Sequence, residues 1–288
     1  APGAIQPAGC LVSVDQDFAC VLQVSANIEE MLGVVPADAF DLAPARLLGA
    51  SLLEQCRQRL DSGERLPLIL ECQREVDGRA RSQQATVYKS DRRWVFEIEP
   101  LVSGTELRPL ALLNRWIKEL GRAQSGDQLL SRLVEAVESL TGYDRIMVYQ
   151  FDEQWHGTVV AEKCHDGVDS FLGHRFPATD IPPQVRALYD INPIRSIPDT
   201  VAAAVPLLSR EDNRDGPLDM GPGYLRASSP VHLRYLANMR VGASLSVAIH
   251  GEDGLWGLLA CHHGTSKALS PQIRDTLLAL VQVASQRL

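Results

Sequence analysis

Residues 66–101, LPLILECQREVDGRARSQQATVYKSDRRWVFEIEPL, decide the fold. Three segments of strand composition, LPLILECQRE, SQQATVYKS and RWVFEIEPL, are separated by two turn signals, Val76-Asp77-Gly78 and Ser90-Asp91-Arg92. Short polar turns between such segments predict consecutive antiparallel strands. Working towards the N-terminus, LLEQCRQRL reads as a helix starting at Ser51 or Leu52 and stopping near Asp61-Ser62-Gly63. NIEEMLG reads as a shorter one, with Asn27 as N-cap and Gly33 as its stop. LVSVD and FACVLQVS, parted by Asp15-Gln16-Asp17, predict a hairpin, and the proline-rich residues 1–9 predict an extended arm. The expectation is a five-stranded antiparallel sheet with helices to one side, bounded near Val102-Ser103-Gly104.

Beyond that boundary the period changes. Leu110, Leu113, Trp116, Ile117 and Leu120 form a helical stripe within residues 106–123. A second helix is predicted from Ser125, with Gln128 as capping-box partner, carrying Leu129, Leu130, Leu133, Val134, Val137 and Leu140 and ending at Gly142. RIMVYQFD and TVVAEKC predict strands, as do ASLSVAIH and LWGLLACHH around a turn at residues 251–254. Ser229-Pro230 and Ser270-Pro271 each supply a cap and a first-turn proline, so helices are expected from Pro230 and Pro271. Between these elements lie an irregular insertion, TVAAAVPLLSREDNRDGPLDMGPGY, and the stretch HRFPATDIPP at 174–183, continued by QVRALYDINPIR. Prolines fix φ and restrict the residue before them, so Asp180 is expected in a stiff, non-helical turn that aims backbone carbonyls. The following helical segment sets Tyr189 and Arg195 at fixed distances from it. A ligand cradle and an ordinary proline-rich loop both fit these residues taken alone.

The whole chain bounds the function classes. At 288 residues, two domains are the expectation. With 45% hydrophobic and 22% charged residues both domains have cores. A formal charge of −8 argues against a nucleic-acid surface, which needs clustered Lys and Arg. No apolar run is long enough for a membrane helix and no signal pattern opens the chain, so a cytoplasmic location is expected. The six cysteines form no C-x-x-C pair, so no zinc site or disulfide framework is indicated, and they read as reduced, mostly core thiols. Side chains alternate along a strand, so Cys261-His262-His263 cannot readily converge on one metal ion.

Five blocks in order carry a family resemblance: PGAIQPAG (2–9), TGYDRIMVYQFD (141–152), FLGHRFPATDIPPQVRALYDINPIR (171–195), YLRASSPVHLRYLANMRVGASLSV (224–247) and LWGLLACHH (255–263). They resemble the bacterial phytochromes, red and far-red photoreceptors that bind a linear tetrapyrrole, usually biliverdin. The resemblance implies an α+β fold: an arm (1–9), a PAS domain (10–104) and a GAF domain (105–288), each with a central antiparallel sheet flanked by helices. It also implies that the arm is knotted through a GAF loop, a topology that ordinary chain rules would reject.

For the site, the resemblance implies that Arg195 and Arg226 bind one propionate, and that Ser229, Ser244 and Ser246, with His232, lie towards the other. Guanidinium groups suit carboxylates because they bind them bidentately. The main-chain carbonyl of Asp180 and the ring of His232 would meet the pyrrole N–H groups, leaving the Asp180 carboxylate for an arginine of a following domain or for the terminal ring after conversion. Tyr149, Phe176 and Tyr235 match the residues enclosing the ring that rotates. Tyr189 falls near the propionate network, His262 at the ring carbonyl, and Ile181 and Pro182 against the pigment face. Met239 and Trp256 read as core. Light would isomerise one methine bridge and the protein would follow, making the chain a sensor and not an enzyme.

The sequence departs from the family at three points. Ala8 stands where histidine is usual; Val231 holds the plant-type attachment site; and the bacterial attachment cysteine is expected upstream of Ala1, the alternatives being non-covalent binding or an unusual use of Cys10, which reads as a strand thiol. Relatives usually continue into a further sensory domain and a histidine kinase, and by family habit a homodimer is expected, through helices near 106–141 and 271–288. The rival reading is a GAF–PAS sensor of a small ligand such as a cyclic nucleotide, which leaves the arginines, serines and paired histidines unexplained; a third is a scaffold that binds nothing.

Overall fold

A computed structural model describes residues 3–101, 109–210 and 216–288. In chain order its elements are β1 (Ala4–Ile5), β2 (Cys10–Asp15), β3 (Val21–Ser25), α1 (Ile28–Leu32), α2 (Pro36–Ala39), α3 (Pro44–Leu47), α4 (Ala50–Asp61), β4 (Leu68–Val76), β5 (Arg79–Ser90) and β6 (Arg93–Pro100). They continue as α5 (Pro109–Gly121), α6 (Gly126–Thr141), β7 (Arg145–Phe151), β8 (Gly157–Cys164), β9 (Arg175–Phe176), α7 (Pro183–Ile191), β10 (Ile194–Ile197), β11 (Val205–Ser209), α8 (Pro230–Asn238), β12 (Ala243–Gly251), β13 (Gly254–His263) and α9 (Pro271–Ser285). The chain divides into two units, Ala1–Thr105 with Ala202–His232, and Glu106–Val201 with Leu233–Leu288. The boundary expected at Val102-Ser103-Gly104, and the first residues of the helix expected from 106, lie outside the described residues.

In the first unit the expected meander forms. Asp77 and Gly78 both adopt positive φ (53° and 70°), the backbone a tight hairpin needs, and Asp91 (φ 53°) turns β5 into β6. The sheet nonetheless has seven strands, in the order β1-β11-β3-β2-β6-β5-β4, and not the five expected. The β2–β3 hairpin leaves one edge of β3 unpaired, and an open edge demands partners for its N–H and C=O groups. Leu207, Leu208 and Ser209 of β11 supply them opposite Ser25, Val24 and Gln23, and Ala4 and Ile5 of the arm then pair with Pro206 and Val205. The insertion expected as an irregular face of the second domain therefore completes the sheet of the first unit.

Alternation along the strands loads both faces of this sheet. Val12, Val24, Leu68, Val87 and Phe96 pack with Ile28, Leu52, Leu53 and Cys56 of the helices. Leu11, Tyr88 and Val95 pack with Ile5, Leu218, Met220 and Leu225. Each such side chain contributes on the order of 1.5–3 kcal/mol on burial. Arg93, fully buried, donates to the Gly216 carbonyl (2.8 Å) and the Pro217 carbonyl (3.3 Å) and so ties the insertion to β6.

Two capping expectations need correction. Asn27 stands at the N-cap of α1 without a capping bond; its amide instead donates to the Gly9 carbonyl (2.9 Å) and accepts from Ser25 Oγ (2.8 Å). Gln128 takes the Gln124 N–H (3.0 Å), while Ser125 caps α6 through the Gln128 N–H as expected. Gly33 and Gly142, both left-handed, end α1 and α6.

The second unit carries a six-stranded antiparallel sheet, β10-β12-β13-β7-β8-β9. Leu245, Val247, Ile249, Leu259, Cys261, Ile146 and Val148 are buried on the face that α6 and α9 pack against. Ser270 caps α9 by accepting the Ile273 N–H (3.3 Å). No helix among the described residues is long and apolar enough to cross a membrane.

Candidate functional site

The register of the second sheet sorts its other face. Arg195 of β10 lies opposite Ser246 of β12, and Ile197 opposite Ser244. Ser244 lies opposite His262 of β13, and Leu258 opposite Tyr149 of β7. Directly opposed residues, and residues two apart on one strand, share a face. Arg195, Ser244, Ser246, His262 and Tyr149 therefore all project from the face opposite the buried helices. His262 stands four residues along β13 from the position facing Tyr149, roughly 13 Å at strand rise. The serines are hydroxyls, the arginine a fixed cation and the histidine an amphoteric ring: a donor-rich surface suited to a ligand carrying carboxylates and carbonyls.

The proline-rich stretch meets that face. Ala178–Asp180 make one turn of 3-10 helix, with the Asp180 N–H donating to the Pro177 carbonyl (3.0 Å). This corrects the non-helical expectation: proline restricts the residue before it, and those residues are Phe176, Ile181 and Pro182, not Asp180. Ile181 accordingly sits at φ −127°, ψ 80°, and Pro182 caps α7. Ile181 packs with Tyr149, Tyr189, Ala248 and Leu258. Tyr149 and Phe176 approach with ring centroids 5.1 Å apart.

The exposed Asp180 carboxylate and the hydroxyl of Tyr235, on α8, are hydrogen-bonded, and a protonated phenol is the donor. Burial pushes the Tyr149 hydroxyl well up, with Tyr235 and the Asp180 charge adding to it. Burial likewise raises Tyr235, followed by the charge and hydrogen bond of Asp180. Both phenols thus stay protonated donors around one carboxylate. Tyr189, nearly buried, shares a 2.7 Å hydrogen bond with Ser246 Oγ.

Two supporting residues escaped the sequence reading. A methyl on Gly157 would overlap the Tyr149 ring, so glycine makes the space the ring occupies. Arg186 donates to the Ile181 carbonyl (2.7 Å) and lies 4.3 Å from the centroid of the Trp155 ring, clamping the turn after Asp180. The signal for Gly157 was its place at a strand start facing an aromatic neighbour, legible only once the β7–β8 register is known. Gly157→Ala is expected to cost about 1–3 kcal/mol by overpacking, and Tyr149→Ala in the same chain to relieve part of that cost. Thermal unfolding of the two single variants and the double variant checks it; strictly additive losses would refute the contact.

The remaining candidates, Arg226, Ser229 and His232, lie in the first unit. Arg226 is half-buried and its main chain bridges Ile5. Ser229 accepts the His232 N–H (3.1 Å), the N-cap bond expected for α8, and retains its own proton to donate. Val231 is exposed.

The PAS fold family matches residues 1–101 and the GAF domain family residues 125–288. The backbone superposes on the chromophore-binding domain of a bacteriophytochrome from R. palustris with a TM-score of 0.88 and 33% identity, covering 99% of this chain and 94% of that one. The chain belongs to the phytochrome family. It is 35% identical to cyanobacterial phytochrome B of Nostoc sp. over 99% of its own length and 38% of that protein's. It is 34% identical to a bacteriophytochrome of Pseudomonas aeruginosa, over 99% and 39%. This phytochrome chain thus spans under half the length of these curated relatives. The photosensory core module of a Stigmatella aurantiaca phytochrome superposes with a TM-score of 0.90 at 31% identity, covering 99% of this chain and 57% of that one. The expected PAS and GAF folds, with their antiparallel sheets and flanking helices, and membership of a family of light photoreceptors, hold.

Proposed function

We propose that the chain is the pigment-binding part of a red/far-red photoreceptor and that its ligand is biliverdin. The observation that carries this reading is the sheet face on which Arg195, Ser244, Ser246, His262 and Tyr149 project together. The donor set fits a linear tetrapyrrole: cationic and hydroxyl groups for two propionates, a histidine for a ring carbonyl, and aromatic and aliphatic walls from Tyr149, Phe176, Tyr189, Ile181 and Pro182. When bound, that group supplies absorption of red light and isomerisation about a methine bridge.

The protein's part is to hold and to respond. Arg195 and Arg226 hold carboxylates, with Ser229, Ser244, Ser246 and His232 completing the shell. The Asp180 carbonyl accepts from pyrrole N–H groups, and His232 shares or relays a proton there. The Asp180 carboxylate, already joined to Tyr235 and coupled to Tyr149, transmits a change at the terminal ring to α8 and β7. His262 holds the ring carbonyl. No substrate is turned over.

The same reading makes the arm a threaded one. Main-chain bonds from the Gln6 N–H to the Leu225 carbonyl (2.7 Å) and from the Ala227 N–H to the Ala4 carbonyl (3.1 Å) support its place beside the insertion. It also takes the protein to work as a homodimer feeding further domains. Cys10 is a packing thiol: it is buried in the core of the first unit, and burial raises its pKa, making it a poor nucleophile. Incubation with biliverdin followed by an absorption spectrum is expected to give a strong long-wavelength band, and its absence would sink the photoreceptor reading. Denaturation then tests attachment, and pigment that stays with the polypeptide would contradict the assignment of Cys10.

A further inference from the structure

In the first unit the carboxylate side chain of Glu97, on β6, is completely buried. Three donors converge on its carboxylate. Tyr88 O–H donates to Oε1 (2.9 Å), and the main-chain N–H groups of Tyr224 (2.6 Å) and Leu225 (3.0 Å) both donate to Oε2. A methyl on Gly223 would land on this carboxylate, so only glycine lets the chain pass there. The next residue after the two donors is Arg226. From its other side the arm takes hold: the Gln6 N–H bonds the Leu225 carbonyl (2.7 Å), Gln6 Nε2 the Arg226 carbonyl (3.4 Å), and the Ala227 N–H the Ala4 carbonyl (3.1 Å).

Buried carboxylates are expensive, and one kept against three donors is a fixed anchor for whatever those donors belong to. We propose that Glu97 is a positioning residue for Arg226, pinning the Tyr224–Leu225 main chain to the sheet so that the guanidinium is presented in one place to a ligand carboxylate. The inference rests on the proposed role of Arg226 in gripping a bilin propionate.

The charged and titratable groups around the anchor are Tyr88 on β5, Glu99 on β6, and Asp219 and Arg226 on the insertion. Burial pushes Glu97 up to about 7, against the lowering by its three donors, with Glu99 adding to the rise. Two consequences of opposite sign follow. The folded value lies above the ordinary 4.5, so the unliganded chain loses stability as pH rises from there through about 7. Ligand grip changes the other way, because the ionised carboxylate holds the two N–H groups more strongly than the acid does.

The test is biliverdin affinity between pH 6 and pH 8 for the wild type, Glu97→Gln, Arg226→Ala and the double variant. Glu97→Gln is expected to match the wild type at pH 6, to bind about tenfold more weakly at pH 8, and to lose the pH step, as removal of a charge-assisted bond predicts. The double variant is expected to bind no more weakly than Arg226→Ala alone. A wild-type pH step in Glu97→Gln, or penalties that add fully, overturns the proposal. Should Glu97→Gln fail to fold, Tyr88→Phe keeps the carboxylate and both N–H bonds but removes one lowering donor, so the step must move to higher pH; an unmoved step overturns it equally. Biliverdin bound by the wild type but indifferent to Arg226→Ala overturns this inference alone, whereas no uptake by the wild type overturns the photoreceptor reading as well.

Discussion

Replacing Asp180 with alanine is expected to leave biliverdin uptake within about threefold of the wild type while cutting photoconversion by about tenfold or more. The two halves of the result come from two parts of one residue. The main-chain carbonyl, held by the 3-10 turn through the Asp180 N–H bond to Pro177, is untouched by the substitution. The carboxylate is lost, and with it the acceptor of the Tyr235 hydroxyl. Because the Asp180 charge helps to raise both Tyr149 and Tyr235, ultraviolet titration of the unliganded variant is expected to show tyrosinate at lower pH than the wild type. Asp180→Asn keeps the shape and one acceptor oxygen, so it is expected to fall between the two. Complete loss of uptake in a folded alanine variant would place the binding role on the side chain and sink the division.

Why one residue could be read so far and no further from sequence is a matter of range. Local chemistry was legible: Asp77-Gly78 made a hairpin, Ser125, Ser229 and Ser270 made caps, and Gly33 and Gly142 ended helices, because each acts on neighbours a few residues away. The partnership of β11 with β3 joins residues some 180 positions apart, and VPLLS, half-exposed between β3 and the short edge strand β1, carries no alternation that could announce it. Asn27 failed as a cap for the same reason, since the Gly9 carbonyl competed for its amide from outside the helix. Within the candidate site, the resemblance supplied the residue types, and the sheet register supplied their common face. What neither supplied was the support beneath them: Gly157 under the Tyr149 ring, Arg186 on the Ile181 carbonyl, and Glu97 behind the arginine of the first unit. Supporting residues of this kind are chosen by shape and by unsatisfied main-chain groups, which exist only after folding.

Among the groups on the sheet face, Arg195 is expected to carry the largest share of ligand affinity. Arg195→Ala should weaken biliverdin binding by roughly 10- to 100-fold, the worth of a charge-assisted, bidentate contact. Arg195 stands on the edge strand β10, half-buried and opposite Ser246, so strand pairing fixes its root while its planar guanidinium offers a bidentate donor fork. Ser246 contributes a neutral hydroxyl that already shares a bond with Tyr189 (2.7 Å), and part of its hydrogen-bonding capacity is spent there. Ser246→Ala and Tyr189→Phe are therefore expected to cost only a few-fold each, and their effects should not add, because each removes the same bond. Arg195→Lys should recover part of the loss, since a point charge remains but the planar fork does not. Equilibrium titration of the five chains with biliverdin gives the order directly. If Ser246→Ala costs as much as Arg195→Ala, the hydroxyl and not the guanidinium holds the carboxylate, and the assignment of the propionate partners must be redrawn around Ser246.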